Sequence, residues 1–393
     1  MTSKRRPVVA LLAAEIISTT GGEITAVALP WFVLVTTGSP ARMGAVLAAG
    51  FLGMAVLGIP SGRAATALGP RRTMLVADAA CAPTVALIPA LHWAGLLSFP
   101  VIVAAAFVVG AFFPAYTSSQ SLVLAALVDE DERRLLRTGA LLGSVNETAS
   151  FVGPALGGLL VAFLGAAPVL LIDAASYLAA FALVGSFVPA MAGARPEPSE
   201  RSVRAGLRYI RGNRRLARTV AGLAVIELAF TALIATLPVL TRRRYHATAR
   251  VAGLLLASYG AGSVAGGLLT TRARSIDGRI AALALVGLAA TTWPLLLTLP
   301  SYGVALAIAA NGVCSGLYFS RFFTSVTLRT PPALRARVSA SVNTLISATG
   351  PVGFVAAGLL LQHASLGATY ALVAAAATLG AAIALAAMRT RPS

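Results

Sequence analysis

Lysine is almost absent from this chain: Lys4 stands alone among 31 basic residues. Without another lysine there is no Gly-rich loop with the phosphate-gripping Lys of a P-loop, which argues against ATP as an energy source. Acid is scarce as well, with 13 Asp and Glu against those 31 bases and a formal net charge of +18. That excess invites a nucleic-acid reading, but the basic residues fall between apolar runs rather than on one face with interleaved aromatics, so no nucleic-acid partner is expected. The two cysteines, Cys81 and Cys314, both lie inside apolar runs and imply neither a disulfide framework nor a metal site. Three histidines, His92, His246 and His363, map near the ends of runs. No metal-ligand cluster and no nucleophile–base pair stands out, so the sequence reads as a non-enzyme with no catalytic residue, cofactor or bound metal.

What the chain has in abundance is apolar length. Hydrophobic residues make up 58%, charged residues 11%, and the mean hydropathy is +0.84. Soluble proteins carry about a quarter of charged residues, so lipid must be the solvent for much of this surface. The apolar runs are long enough to cross a hydrocarbon layer of ~30 Å. They are rich in Ala, Leu and Gly without two-residue alternation, so they read as helices that satisfy their own backbone groups. Twelve spans are expected, among them 42–62, 98–118, 279–298, 301–325 and 336–361. With the N-terminus in the cytoplasm, the segments on that side collect most of the Lys and Arg, including Arg71, Arg72, Arg133, Arg134, Arg272, Arg335 and Arg337. The opposite side holds Arg42, Arg250 and an unexplained cluster, Arg242, Arg243 and Arg244. This asymmetry places both termini inside. The basic start runs into the first apolar stretch without a cleavage-like end and reads as a retained helix.

An internal repeat divides the chain. Ser144-Val145-Asn146 precedes Gly153-Pro154 at the same spacing as Ser341-Val342-Asn343 precedes Gly350-Pro351. Gly44, Gly53 and Arg63 are echoed by Gly253, Gly262 and Arg272, and Gly110, Tyr116 and Ser118 by Gly312, Tyr318 and Ser320. Three echoes in the same order give two six-helix halves, 1–188 and 218–393, a recurrent transporter plan. The linker, 189–217, carries Arg201, Arg204, Arg208, Arg211 and Arg215 at helical spacing. It reads as an amphipathic helix drawn to anionic lipid headgroups, with a solvated linker as the plainer alternative.

Twelve helices in two halves with a basic central loop resemble the major facilitator superfamily. Gly22-Glu23, Ala28-Leu29-Pro30-Trp31 and Thr37-Gly38-Ser39-Pro40 are similar to the first helix of its macrolide-, multidrug- and siderophore-exporting branch. The run containing Gly62, Thr66, Gly69, Arg71 and Arg72 resembles the superfamily's gating loop between spans two and three. Gly153-Pro154, with Gly157 and Gly158, resembles the antiporter signature of span five. The fold implied is an all-α membrane protein of two pseudo-symmetric six-helix bundles. Two departures stand out. Thr66 replaces the usual acid of the gating loop, which implies a weaker inner latch and a resting bias toward the inward-open state. Ala140 and Ala149 replace earlier glycines of the span-five signature.

Carboxylates inside hydrocarbon are costly, so each is a functional candidate. Glu23, Glu147 and Glu227 lie near mid-span and are the expected proton-coupling residues; Glu147 is paired in the repeat with Thr344. Glu15 is intermediate, and Asp78 and Asp173 read as hydrogen-bonded structural groups. The resemblance places spans one, four, seven and ten around a central cavity, which implies Phe113, Tyr116, Gln120, Phe230, Asn311, Tyr318 and Phe322 as a substrate-binding set. Arg321 is expected to snorkel or to pair with a carboxylate. The reading is a proton-coupled, monomeric exporter of small amphiphilic, cationic drugs or natural products, multi-pass in the cell membrane and driven by alternating access. A dedicated siderophore or metabolite exporter is the second transport reading, and a non-transporting receptor or scaffold the third.

Overall fold

The computed structural model describes residues 5–128, 132–191, 200–272, 278–331 and 334–389; within them the side chains at 5, 58–66, 132–136, 147, 200–205, 271–272, 336 and 389 are left out of the description. The helices in chain order are α1 (Arg5–Thr37), α2 (Pro40–Leu68), α3 (Pro70–Trp93), α4 (Phe99–Leu127), α5 (Glu132–Leu164), α6 (Ala166–Phe187), α7 (Glu200–Gly212), α8 (Arg214–Arg243), α9 (Ala249–Arg272), α10 (Gly278–Ala290), α11 (Ser301–Arg329), α12 (Arg335–Ser347), α13 (Gly350–His363) and α14 (Leu366–Arg389). Among the described residues, twelve segments are long and apolar enough to cross a membrane. The twelve-span expectation is borne out, with differences at the ends. Helices α2, α4 and α11 run on to Leu68, Leu127 and Arg329, past the expected 62, 118 and 325, since no proline or glycine interrupts 63–68, 119–127 or 326–329.

Two spans are interrupted. The ninth ends its α-helix at Ala290 and finishes as a 3₁₀ turn, Trp293–Leu296, since Pro294 has no N–H to continue the ladder. The eleventh splits into α12 and α13 at Ala348–Thr349, just before Gly350-Pro351. Its repeat partner Gly153-Pro154 sits inside an unbroken α5. At the break, the Thr349 hydroxyl donates to the carbonyls of Ile346 and Ala224, both at 2.8 Å, while the matching position in α5 is Val152, which has no hydroxyl.

The chain forms two compact units. The first holds residues 1–38, 49–196 and 248–253. In it α1 packs on α5 and α6, α3 on α4 and α6, and a core forms around Leu11, Met74, Val123, Ala180 and Val184. The second holds residues 39–48, 197–247 and 254–393. Its α8 packs on α13 and α14, α10 on α11, and α7 on α12, around Leu223, Leu285, Val338, Val342 and Ala384.

The glycine echoes of the sequence become equivalent contacts. A Cβ on Gly53 would strike the Phe107 carbonyl of α4, and one on Gly110 would strike the Gly50 carbonyl of α2. In the second unit a Cβ on Gly262 would strike the Ala309 carbonyl of α11, and one on Gly312 the Tyr259 carbonyl of α9. Each repeat therefore brings two backbones together at the same crossing, with small residues doing what apolar burial cannot do in lipid. At Gly69 the chain turns with φ +87°, a conformation open to glycine, before Pro70 starts α3.

Candidate functional site

In the first unit a polar stripe runs along α1. Glu15, Thr19 and Glu23 recur every four residues and share one face. Opposite them on α5 stand Asn146 and Ser150, also one turn apart. The Thr19 hydroxyl donates to Glu15 at 3.0 Å and lies 3.4 Å from the Asn146 carbonyl oxygen. Ser150 donates to Glu23 at 3.1 Å. The approach is possible because Gly153 faces the Glu23 Cβ with no room for a side chain, and Gly157 faces the Ile24 backbone in the same way. The span-five signature thus seats α5 on α1 beside Glu23. Gly158 makes a further close approach, to Ala249 and Gly253 of α9, and the Pro154 carbonyl faces Gly253.

The remaining carboxyl groups of this unit differ in their partners. Glu15 is buried and accepts a second hydrogen bond, from the Gln120 amide of α4. Asp173 of α6 is buried and accepts from Thr25 at 2.6 Å and Ser176 at 3.2 Å, which bears out its structural reading. Asp78 of α3 departs from that reading. It is fully buried within electrostatic reach of Glu15, yet neither carboxyl oxygen has a hydrogen-bond partner among the described residues. Sequence alone ranked Glu15 behind Glu23; the i, i+4, i+8 recurrence along α1 was the signal that joins them.

In the second unit Glu227 of α8 is half-buried, and its side chain makes no hydrogen bond to a described residue. Its backbone carbonyl accepts from Thr231 at 3.0 Å. One turn along, Phe230 lies against the Tyr259 ring at 4.6 Å, and the Tyr259 hydroxyl meets Ser315 at 2.9 Å. Among the described residues no group of His, Cys, Asp and Glu has the arrangement of a metal site.

A family model described as "Transmembrane secretion effector" matches residues 5–392. The chain belongs to this family. It is a transporter of the major facilitator superfamily and not an enzyme. The multidrug efflux pump Tap of Mycobacterium tuberculosis is 28% identical over 384 residues, covering 94% of this chain and 90% of the pump. Tap of Mycolicibacterium fortuitum is 28% identical over 382 residues, covering 94% and 92%. Among solved structures the fold matches the nucleoside transporter NupG with a TM-score of 0.80 at 11% identity, covering 100% of both chains. It also matches a bacterial homologue of the iron transporter ferroportin at 0.75 and 13% identity, covering 98% and 99%.

Against this membership, the expected substrate-binding residues fall into distinct settings. In the first unit Phe113 is exposed, while Tyr116 is half-buried with its hydroxyl turned inward. Gln120 is buried and committed to Glu15. In the second unit Asn311 is buried and donates to the Leu288 carbonyl at 3.0 Å and the Thr291 hydroxyl at 2.9 Å, tying α11 to α10. Tyr318 and Phe322 stack one turn apart in the unit's core. Arg321 does not snorkel: it is 5% exposed.

Of the family's gating loop, Gly69 and Arg71 have clear structural roles. Arg71 donates to the Gly185 carbonyl at 2.6 Å and the Val184 carbonyl at 3.4 Å, holding the start of α3 against the end of α6. Arg72 is exposed. The side chains of Thr66 and Glu147 lie outside the described residues; the backbones of Gly62 and Thr66 run within α2 and that of Glu147 within α5. Two arginines of the cluster that the sequence left unexplained act on carbonyls. Arg243 donates to Leu361 in the last turn of α13 and Arg244 to Leu297, each at 2.8 Å. Cations are favoured at such helix C-termini. Tyr245 beside them donates to Leu299 at 2.8 Å; burial pushes its hydroxyl above the ordinary tyrosine range, outweighing the Arg244 charge, so it stays a donor at physiological pH.

Proposed function

We propose that this membrane transporter is a proton-coupled exporter of small amphiphilic, cationic drugs or natural products, working by alternating access. The relatives named for multidrug efflux support the export direction and a broad substrate range. The observation that carries the coupling is the contrast among the membrane carboxyl groups. Glu15 and Asp173 are sealed and hydrogen-bonded, whereas Glu23 and Glu227 are half-buried, the first with one serine donor and the second with none among the described residues. A carboxyl group with partial access and few fixed donors can exchange a proton for a cation without dismantling a network. Protons crossing ~200 mV release roughly 4.6 kcal/mol each, enough to sustain a gradient on the order of a thousandfold.

Glu147 is retained as a third coupling candidate. The amphipathic α7 serves as the contact with anionic lipid, both termini face the cytoplasm, and the protein acts as a monomer. The test is proton release from purified, weakly buffered protein on adding amphiphilic cations. Wild type is expected to release protons and Glu23→Gln to release none. Unchanged release from Glu23→Gln would move the coupling to Glu227 or Glu147, and no release from wild type with any cation would refute proton coupling.

A further inference from the structure

The break at Ala348–Thr349 divides span eleven into two pieces with different attachments. The second piece, α13, is fixed to α8: a Cβ on Gly353 would strike the Leu228 carbonyl and the Thr231 hydroxyl. The first piece, α12, is fixed to α7: a Cβ on Gly206 would strike the Arg337 carbonyl and the Ser341 hydroxyl. Both are glycine-to-backbone approaches that leave little room to slide. With the rest of the unit's core α12 shares only side-chain packing, through Val338, Val342 and Ile346, which can shift without a backbone collision.

The joints that flank this α7–α12 pair are short. Asn213 alone separates α7 from α8, and its side chain accepts from the Leu216 N–H at 3.0 Å, starting α8 afresh. At the other joint Pro351 offers no N–H to the Ser347 carbonyl, but Pro154 leaves the same gap in the unbroken α5. What α5 lacks is the Thr349 hydroxyl. Both that hydroxyl and the Thr349 N–H turn to the Ile346 carbonyl, three residues back, which tightens the turn out of the α ladder. The hydroxyl also ties the turn to the Ala224 carbonyl of α8, one turn before Glu227. A sharp helix break with its own tether and unequal arms has the makings of a hinge.

We infer that Thr349 is the pivot of a hinge within the second unit, on which α12 swings and carries α7 with it while α13 stays fixed on α8. The hinge deepens the alternating-access reading and rests on it for its use, but the motion is measured without transport. A bend of about 20° at residue 349 carries Ala340, about 14 Å along the helix, by roughly 5 Å. Purified full-length protein in a Cys81→Ala, Cys314→Ala background would be spin-labelled at pairs of exposed positions and read by double electron–electron resonance. Ala340 with Ala386 reports α12 against α14, and Arg208 with Ala386 reports α7. Leu359 with Leu372 is the control beyond the break, and Gly143 with Ser186 is the matching pair beside the unbroken α5. The two Ala386 pairs are expected to spread over roughly 5 Å and both controls to stay narrow. Thr349→Val, which supplies the side chain of Val152, should narrow the Ala386 pairs to the width of the controls. Tetraphenylphosphonium, an amphiphilic cation, should shift both Ala386 pairs together. Broad distributions that this cation leaves unmoved would support the hinge and count against its use in alternating access. The hinge is overturned if the Ala340 pair is as narrow as the Gly143 pair, if the Arg208 pair stays narrow while the Ala340 pair spreads, or if Thr349→Val changes neither width.

Discussion

Ser150 of α5 donates a hydrogen bond to Glu23 of α1 across 3.1 Å, and three residues later Gly153 lets the Glu23 Cβ reach the α5 backbone. The two contacts separate by substitution. Gly153→Ala gains helix propensity of roughly 1 kcal/mol but places a methyl group where no space exists, and overpacking costs about 1–3 kcal/mol. The variant is expected to unfold at lower temperature in detergent and to export poorly. Ser150→Ala should keep its thermal stability to within about 1 kcal/mol and change only the pH profile of export. Equal stability of Gly153→Ala and wild type would show that the α1–α5 approach is looser than described.

Gln120 predicts the opposite pattern. Its amide is bound to Glu15, so Gln120→Leu leaves a buried carboxyl short of a donor at a cost of about 1–3 kcal/mol. Export-cell assays and detergent melting of the same variant should fall together. A variant with normal melting and altered drug profile would place Gln120 in substrate binding instead.

Asp78 should tolerate removal. A fully buried carboxyl with no hydrogen-bond partner contributes little favourable energy, and replacing it with an apolar group of similar size is expected to be neutral or stabilising. Thermal melting of Asp78→Val decides this, and a loss of more than about 3 kcal/mol would mean that the carboxyl has a bonded partner after all.

Arg243, the last residue of α8, and Arg244, which follows it, donate to backbone carbonyl groups. Arg243→Gln and Arg244→Gln should each cost on the order of 1 kcal/mol, read as a lower melting temperature. Because the carbonyls at Leu361 and Leu297 carry no formal charge, added salt should change that cost little. A strong salt dependence would point to an ion pair.

Much of the fold was legible because lipid imposes a blunt requirement. Only long helices satisfy their backbone there, and only small residues let those helices touch. That is why Gly53 and Gly262, and Gly110 and Gly312, marked the repeat in the sequence and reappear at equivalent crossings. The break at Gly350-Pro351 was not legible, since Gly153-Pro154 carries the same dipeptide in a continuous helix. The difference rests on one hydroxyl, Thr349 against Val152, and on the carbonyl of α8 that it reaches. Side-chain partnership was the least readable layer. Asn311 and Gln120 have the chemistry of cavity residues, and only their bonding shows them tied to α10 and to Glu15. The Arg243 and Arg244 acceptors are backbone groups distant in sequence, which no spacing rule reveals.

The two bonds between α1 and α5 lie in parallel register, Thr19 with Asn146 and Ser150 with Glu23, clamped by Gly153 and Gly157. Turning either helix by one residue's worth of rotation would break both bonds and drive a backbone into a side chain. Mechanically, α1 and α5 are therefore one beam, and any strain the first unit absorbs while it works must be taken up by its other helices.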